Sequence, residues 1–410
     1  MKRTGETKYN AKHSKKKTKF NYFRIILLLL LIVLIILRLK HSLTKSNISS
    51  IEISDSEEEV VEIIKDTTIH IATIGDIMCH SPNYNAAYVS STGTYDFSPF
   101  FTQIEKYTSS ADITVGNLET TFAGKERGYS GYPTFNSPSE LGDAIKNIGV
   151  DVVGTANNHC MDKGYTGIVS TLDVLDEIGL EHMGTARSEE ERDTILVKDV
   201  NGIKIAFLAY TYGTNGITIP SDKPYCVNLI DKELILKHIN MAKELEVDLI
   251  CVNMHWGIEY QTSPNSEQQE LADFLFENGV DIIFGSHPHV LQKMEKRTIT
   301  LEDGTTKDGF VIYSLGNFFS NQQDVGTRDT VILDIQVTKS GETGKITIDN
   351  VKDIPVFNYN KGSGTSDRYR LIDLRNTISE YENGNSDISA TLYNTFKSAL
   401  ERIEKIITAV

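Results

Sequence analysis

At 410 residues and 40% hydrophobic composition, the chain is long enough for one large domain or two medium ones with a sizeable core. Its formal net charge of −15 is unevenly laid, because the first 45 residues hold 12 Lys/Arg against the single acid Glu6, leaving about −26 on the rest. So acidic a body excludes nucleic acid as a partner, since phosphate binding takes clustered Lys and Arg, and it suits divalent cations.

Lys8, Lys12, Lys15, Lys16, Lys17, Lys19 and Arg24 precede an unbroken apolar run, Ile25–Leu37. Thirteen residues are short for a span. With Phe20, Tyr22 and Phe23 counted in and Arg24 snorkelling, the stretch approaches what a bilayer needs. A secretory signal peptide has a similar apolar centre. The residues after Leu37 are Arg-Leu-Lys-His-Ser, without a small-x-small cleavage pattern, so the run reads as an uncleaved anchor. Positive charge stays inside. Residues 1–24 are therefore expected as a cytoplasmic tail and 25–40 as a single transmembrane helix, with the body outside the cell. Residues 41–66, with Ser54-Asp55-Ser56-Glu57-Glu58-Glu59, read as a flexible acidic stalk.

From about residue 67, apolar runs alternate with amphipathic stretches. Strands are expected at Ile69–Ile74, Ile113–Val115, Val150–Gly154, Ile203–Ala209, Leu249–Asn253 and Val280–Phe284. Helices are expected after a Ser137/Glu140 capping box, over Gly167–Ile178 and Lys232–Leu245, and after a Ser266/Gln269 box up to Asn278-Gly279. Residues 310–357 turn to β-alternation (Phe310–Ser314, Thr330–Val337, Lys345–Val351), and 385–408 read as a terminal helix. The order predicts a layered α/β domain over 67–360 and a helical extension over 361–410. Cys79, Cys160, Cys226 and Cys251 match no metal ribbon or C-x-x-C motif; Cys251 reads as a small core residue, and a Cys79–Cys160 disulfide is an open alternative outside the cell.

The chemistry-bearing residues follow successive strands. Gly75-Asp76, Gly116-Asn117-Leu118-Glu119, Ala156-Asn157-Asn158-His159, Asn253-Met254-His255-Trp256-Gly257 and Gly285-Ser286-His287-Pro288-His289 all stand at strand ends, where ligand sites form in open α/β sheets. Taken singly, each has an ordinary reading: Asp76 as a helix cap, Asn117 and Asn158 as turn residues, His255 as a satisfied core histidine. Five independent coincidences are then required, whereas a metal site accounts for all five. Mixed His/Asp/Asn donors shift preference from Mg²⁺ toward Mn²⁺, Zn²⁺ or Fe²⁺, and one or two ions are expected.

The segments GDIM, GNLET, ANNHCMDKG, HWGIEY, GSHPHV and YSLGNF, in this order, resemble the CapA family, named for poly-γ-glutamate capsule synthesis, which is similar in fold to calcineurin-like metallophosphatases. The resemblance runs from about Thr68 to Phe357. It implies a four-layer α-β-β-α sandwich of metallophosphatase type. It implies metal ligands at Asp76, Glu119, Asn158, His255, His287 and His289, with His255 and His287 on one ion and His289 beside Asp76 on the other. It implies His159 as the residue acting on the leaving group, with Asn117, Asp162, Asn317 and His80 supporting the ligands from behind. The chain departs from the metallophosphatase pattern at Asp76-Ile77-Met78, which lacks the histidine of Asp-x-His, and at Asn117-Leu118-Glu119, which stands in place of GDxxD.

Three functions are expected from these readings. The first is a membrane-anchored component of poly-γ-glutamate or exopolymer assembly, partnered by the bilayer, the polymer and membrane synthase subunits. The second is a metal-dependent, phosphoesterase-like hydrolase of cell-envelope material. The third is a non-catalytic scaffold. An acidic body repels a polyanion unless cations or local lysines bridge the two.

Overall fold

The computed structural model describes residues 65–300, 304–362 and 367–407. The expected tail and anchor, and all but the end of the stalk, lie outside them. No helix among the described residues is long and apolar enough to cross a membrane.

In chain order the strands are β1 (Thr67–Ile77), β2 (Tyr88–Val89), β3 (Thr94–Tyr95), β4 (Ile113–Leu118), β5 (Val152–Gly154), β6 (Glu181–Met183), β7 (Leu196–Val200) and β8 (Ile203–Thr211). They continue with β9 (Leu249–His255), β10 (Ile282–Ser286), β11 (Met294–Thr300), β12 (Thr306–Ile312), β13 (Asn317–Phe319), β14 (Asp329–Lys339), β15 (Ile346–Asn360) and β16 (Tyr369–Asp373). One sheet runs β16-β15-β14-β1-β4-β5-β6, with β13 pairing β1; the second runs β11-β12-β10-β9-β8-β7. β1, β4, β5 and β6 are mutually parallel, as are β8, β9, β10 and β12, so their carboxyl ends gather at one end of each sheet.

The central strands of each sheet are buried on both faces, which explains the near-continuous apolar runs. Along β8, Ile205, Phe207 and Ala209 enter a core shared with Ile69, Ile71, Ile113 and Val115 of the first sheet, whereas Ala206, Leu208 and Tyr210 point the other way. Those outward residues pack under the helices Lys232–Glu244 and Ser266–Glu277 through Ile235, Ile239, Leu271 and Leu275. The outer face of the first sheet, with Ile74, Ile77, Leu118 and Val153, is covered by helices Glu140–Asn147 and Gly164–Ile178 through Leu141, Ile145, Ile168 and Leu172. The result is the expected α-β-β-α layering. The closing helices Leu374–Glu382 and Ala390–Ile407 join the inner core, where Phe396 meets Phe357 at 5.5 Å between ring centroids.

Local departures from the sequence reading have local causes. Ser137 does not cap a helix: its N–H is bound to Thr121 O at 2.8 Å and its hydroxyl to Thr120 at 2.7 Å, so the helix begins at Glu140. The box expected at Ser266/Gln269 forms one residue earlier, with Asn265 accepting from Gln268 N at 2.8 Å and Gln268 reaching back to Asn265 N at 3.1 Å. The terminal helix starts at Ala390 rather than 385, after Ser389 accepts from Leu392 N at 3.2 Å. The short strands β6, β13 and β16 escaped notice because three to five residues carry too little periodicity. All four cysteines are free and buried, so no Cys79–Cys160 disulfide exists; burial pushes both those thiols up to about 12.

Close backbone approach sets the strand ends. A Cβ on Gly75 would lie 2.0 Å from the carbonyl oxygen of Gly316, a backbone atom with no room to move. Gly75→Ala is therefore expected to cost about 3 kcal/mol or more, lowering Tm by at least about 5 °C. Gly213, with nothing within 4 Å of its would-be Cβ, is the control. Thermal denaturation of the two alanine variants checks this, and equal Tm values would refute the packing argument.

Candidate metal centre

β1 is irregular where it matters. Its register against β4 shifts between Thr73 and Asp76, and its register against β13 shifts at Asp76/Ile77. Such bulges re-aim a side chain. Asp76 consequently lies level with Asn117 on one side and Asn317 on the other. Asn117 Nδ2 donates to Asp76 Oδ1 at 2.8 Å and approaches Glu119 Oε2 at 3.4 Å, so one amide holds both carboxylates. Glu119 follows β4 directly, its N–H bound to Ile77 O at 3.0 Å.

The second sheet supplies the imidazoles. His255 closes β9 opposite Ser286 of β10, and its Nδ1 meets the Ser286 hydroxyl at 2.9 Å. Its Nε2 lies 2.9 Å from Asn158 Oδ1 and 3.6 Å from Glu119 Oε1, so three candidate ligand atoms surround one point. His287 and His289 follow β10 with φ of 95° and 59°. Residues other than glycine hold such conformations at a cost of about 1–3 kcal/mol each, and strain of this kind gathers at functional sites. The turn brings His287 N–H to Asp76 Oδ2 at 3.3 Å. His289 Nδ1 sits 3.2 Å from Asp76 Oδ2 and 3.1 Å from Asn317 Oδ1, leaving Nε2 on the side of Glu119 Oε1, 3.8 Å away.

Asp76, Glu119, Asn158, His255, His287 and His289 are thus all buried and brought together. Ligand atoms within 4.8 Å of one another form two groups, Asp76-Glu119-His255 and Glu119-His287-His289. Glu119 belongs to both groups. Asn117 and Asn317 stand behind the carboxylates and His289 as expected. His80 lies farther back, its Nδ1 accepting from Asn321 N at 3.3 Å and its ring 5.1 Å from that of Phe135. His159 is tied to Asp162, Nδ1 to Oδ2, at 2.7 Å; Asp162 Oδ2 also accepts from Phe135 N at 2.6 Å.

The sequence reading missed Asn157, whose amide donates to Leu118 O at 2.7 Å and whose Oδ1 accepts from His159 N at 3.1 Å, locking two of the site loops together. It also missed Tyr212, whose N–H binds His255 O at 3.0 Å and whose ring lies 4.5 Å from that of His287. The signal was present: Thr211-Tyr212-Gly213 ends β8, a sixth strand end beside the five considered.

The electrostatics fit a cation. Burial, followed by the charges of Asp76, Glu259 and Asp162, holds the Glu119 carboxyl well above its ordinary range. Burial, then the other histidines, holds His255 well below its usual range, His287 down to about 3 and His80 down to about 4. These imidazoles are neutral at pH 7 and so available as ligands. Glu119 Oε1 and His287 Nδ1 have no hydrogen-bond partner despite complete burial. An unmade bond at such an atom costs about 1–3 kcal/mol, and two facing carboxylates cost more; a divalent cation answers both. Oxygen and imidazole donors together suit Mn²⁺, Zn²⁺ or Fe²⁺ over Mg²⁺.

Fold and site define the class: a four-layer α/β sandwich protein whose buried His, Asp and Glu groups are compatible with a divalent-metal centre. The chain belongs to the bacterial capsule synthesis protein PGA_cap family, whose model matches residues 70–322. It is similar to the capsule biosynthesis protein CapA of Bacillus anthracis, 28% identical over 271 residues, covering 64% of this chain and 62% of that one. It is also similar to the PGA biosynthesis protein CapA of Bacillus subtilis, 29% identical over 298 residues, covering 72% and 74%. Solved structures that align with it include a phosphatase from Mycoplasma pneumoniae (16% identical, TM-score 0.40, 71% of this chain and 94% of that one) and the NAD nucleotidase of Haemophilus influenzae (13%, TM-score 0.43, 83% and 61%).

Proposed function

We propose that this protein is a membrane-anchored, extracytoplasmic component of poly-γ-glutamate-type capsule or exopolymer assembly that works through a divalent-metal centre at the strand ends. Family membership supports the process, and the basic-then-apolar N-terminus supports the anchor and a body outside the membrane. One observation carries the site: loops from both sheets converge on Glu119 and His287 and leave a buried oxygen and nitrogen unpartnered between them. Asp76, Glu119, Asn158, His255, His287 and His289 would hold one or two ions of Mn, Zn, Fe or Mg. When bound, such an ion supplies Lewis-acid polarisation of a phosphoryl or carbonyl oxygen.

The chain's own contribution is proton handling. Asp162 accepts from His159 Nδ1, fixing the ring and leaving Nε2 as the atom that, when it too is protonated, can give that proton to a leaving oxygen. This pair favours a second reading, a phosphoesterase-like hydrolase of cell-envelope substrates, over a non-catalytic scaffold. Membrane synthase subunits and the polymer itself are the partners this reading names; cations at the site would offset the repulsion between an acidic body and a polyanion. The test is turnover of generic phosphodiesters by full-length protein, before and after chelation and on return of Mn²⁺. Metal-dependent turnover is expected for the hydrolase. Bound metal with no turnover would leave the assembly role without hydrolysis, and neither metal nor turnover would leave only the scaffold.

A further inference from the structure

Exposed tyrosines stand against the histidines of this centre. Tyr212 is 47% exposed, with its ring 4.5 Å from that of His287 and 6.2 Å from that of His255. Tyr260 is 52% exposed and stands 6.2 Å from the ring of His289. Both rings are steadied at their hydroxyls: Tyr212 donates to Asn215 Oδ1 at 3.4 Å, and Tyr260 accepts from Gln322 Nε2 at 3.4 Å. Tyr260 holds a φ of 66°, a strained conformation that a merely decorative surface residue has no reason to keep. Tyr132, 76% exposed, sits in the loop that carries Phe135, whose ring meets His159 edge-on at 4.7 Å.

The charges nearest Tyr212 and Tyr260 are acidic, whereas the Tyr132 loop meets Lys163, whose Nζ donates to Ser130 Oγ at 3.0 Å. Glu259, exposed and next in the chain to Tyr260, lies within electrostatic reach of Glu119, Tyr212 and Tyr260, and Asp324 reaches Tyr260 as well. Exposed ring faces beside a carboxylate attract an organic ammonium group, through the ring quadrupole and the countercharge together. A purely anionic ligand meets only repulsion at the same rim. With a divalent cation held at Asp76, Glu119, His287 and His289 the floor would seek an anion, so floor and rim together ask for opposite charges on one molecule.

We propose that the centre takes a zwitterionic ligand, with an anionic head on the Asp76–Glu119–His287–His289 floor and an ammonium group held against Tyr212, Tyr260 and Glu259. This rests on the metal-centre reading above. It narrows the ligand to phosphate or carboxylate compounds with a quaternary or primary ammonium a few bonds away.

The experiment is calorimetric titration of Mn²⁺-loaded full-length protein with phosphocholine, with its neutral isostere 3,3-dimethylbutyl phosphate, and with phenyl phosphate, with metal content measured on the same samples. Phosphocholine is expected to bind about tenfold more tightly than the isostere. In Tyr260→Leu and in Glu259→Gln the ratio is expected to fall toward one while metal content holds. Equal binding in wild type, a preference unchanged in both variants, or tightest binding of phenyl phosphate, overturns the ammonium rim and leaves the metal centre standing. A protein that binds neither metal nor any probe overturns both.

Discussion

Replacing Glu119 by Gln is expected to move stability in opposite directions with and without a divalent cation. In the metal-free protein, burial and Asp76 keep the Glu119 carboxyl well above the ordinary value of 4.5. The unfolded chain gives up that proton near 4.5 and the folded chain keeps it, so the metal-free fold loses stability as pH rises above 4.5. The amide removes the penalty, and at pH 7 the metal-free variant is expected to be the more stable of the two. With the cation present the order reverses. Wild-type protein gains about 4 kcal/mol at a thousandfold excess over Kd, a Tm rise of roughly 8 °C for a domain of this size. The variant lacks the carboxylate that belongs to both ligand groups and is expected to show little of that rise. Thermal denaturation in chelator and in Mn²⁺ reads both effects. A variant stabilised by Mn²⁺ as much as wild type would remove Glu119 from the centre.

The second large effect concerns His159. If its Nε2 protonates the leaving oxygen, His159→Ala is expected to slow hydrolysis of a diester with a poor leaving group by about 10²–10⁴-fold. A nitrophenyl diester, whose leaving oxygen departs without a proton, is expected to suffer far less. Asp162→Asn is expected to fall between, because an amide can still contact Nδ1 but can no longer supply the negative charge now 2.7 Å away. Equal losses on both diesters would assign His159 to binding or folding. Metal content of the variants, unchanged from wild type, separates the proton role from a ligand role.

Much of this was legible in the chain. Continuous apolar runs marked the central strands because parallel strands covered on both sides show no alternation. The same runs placed Asp76, Glu119, Asn158, His255, His287 and His289 at strand ends, which the parallel pairing gathers in space. Other features were beyond reach. The bulge at Asp76 arises from two different registers on its two neighbours, β4 and β13, and β13 is only three residues long. The partition of the imidazoles depends on the positive φ values of His287 and His289, which no pattern of side chains announces. Asn157 was overlooked because its partners, Leu118 O and His159 N, are backbone atoms of other loops and of its own. Tyr212 was overlooked because an aromatic after a strand reads as core until its exposure is known.

His289 arrives from the other sheet and lies 3.2 Å from the Asp76 carboxylate. Glu119 reaches the same space from two residues past Asn117, and Asn117 itself binds both acids.

The most direct measurement is the divalent-metal content of full-length protein purified without chelator, wild type beside His289→Ala. One or two ions per chain in wild type, and a clear loss in the variant, is the result expected if the five strand-end loops share one coordination pocket. Wild-type protein that stays metal-free after exposure to Mn²⁺, Zn²⁺, Fe²⁺ and Mg²⁺ would contradict it.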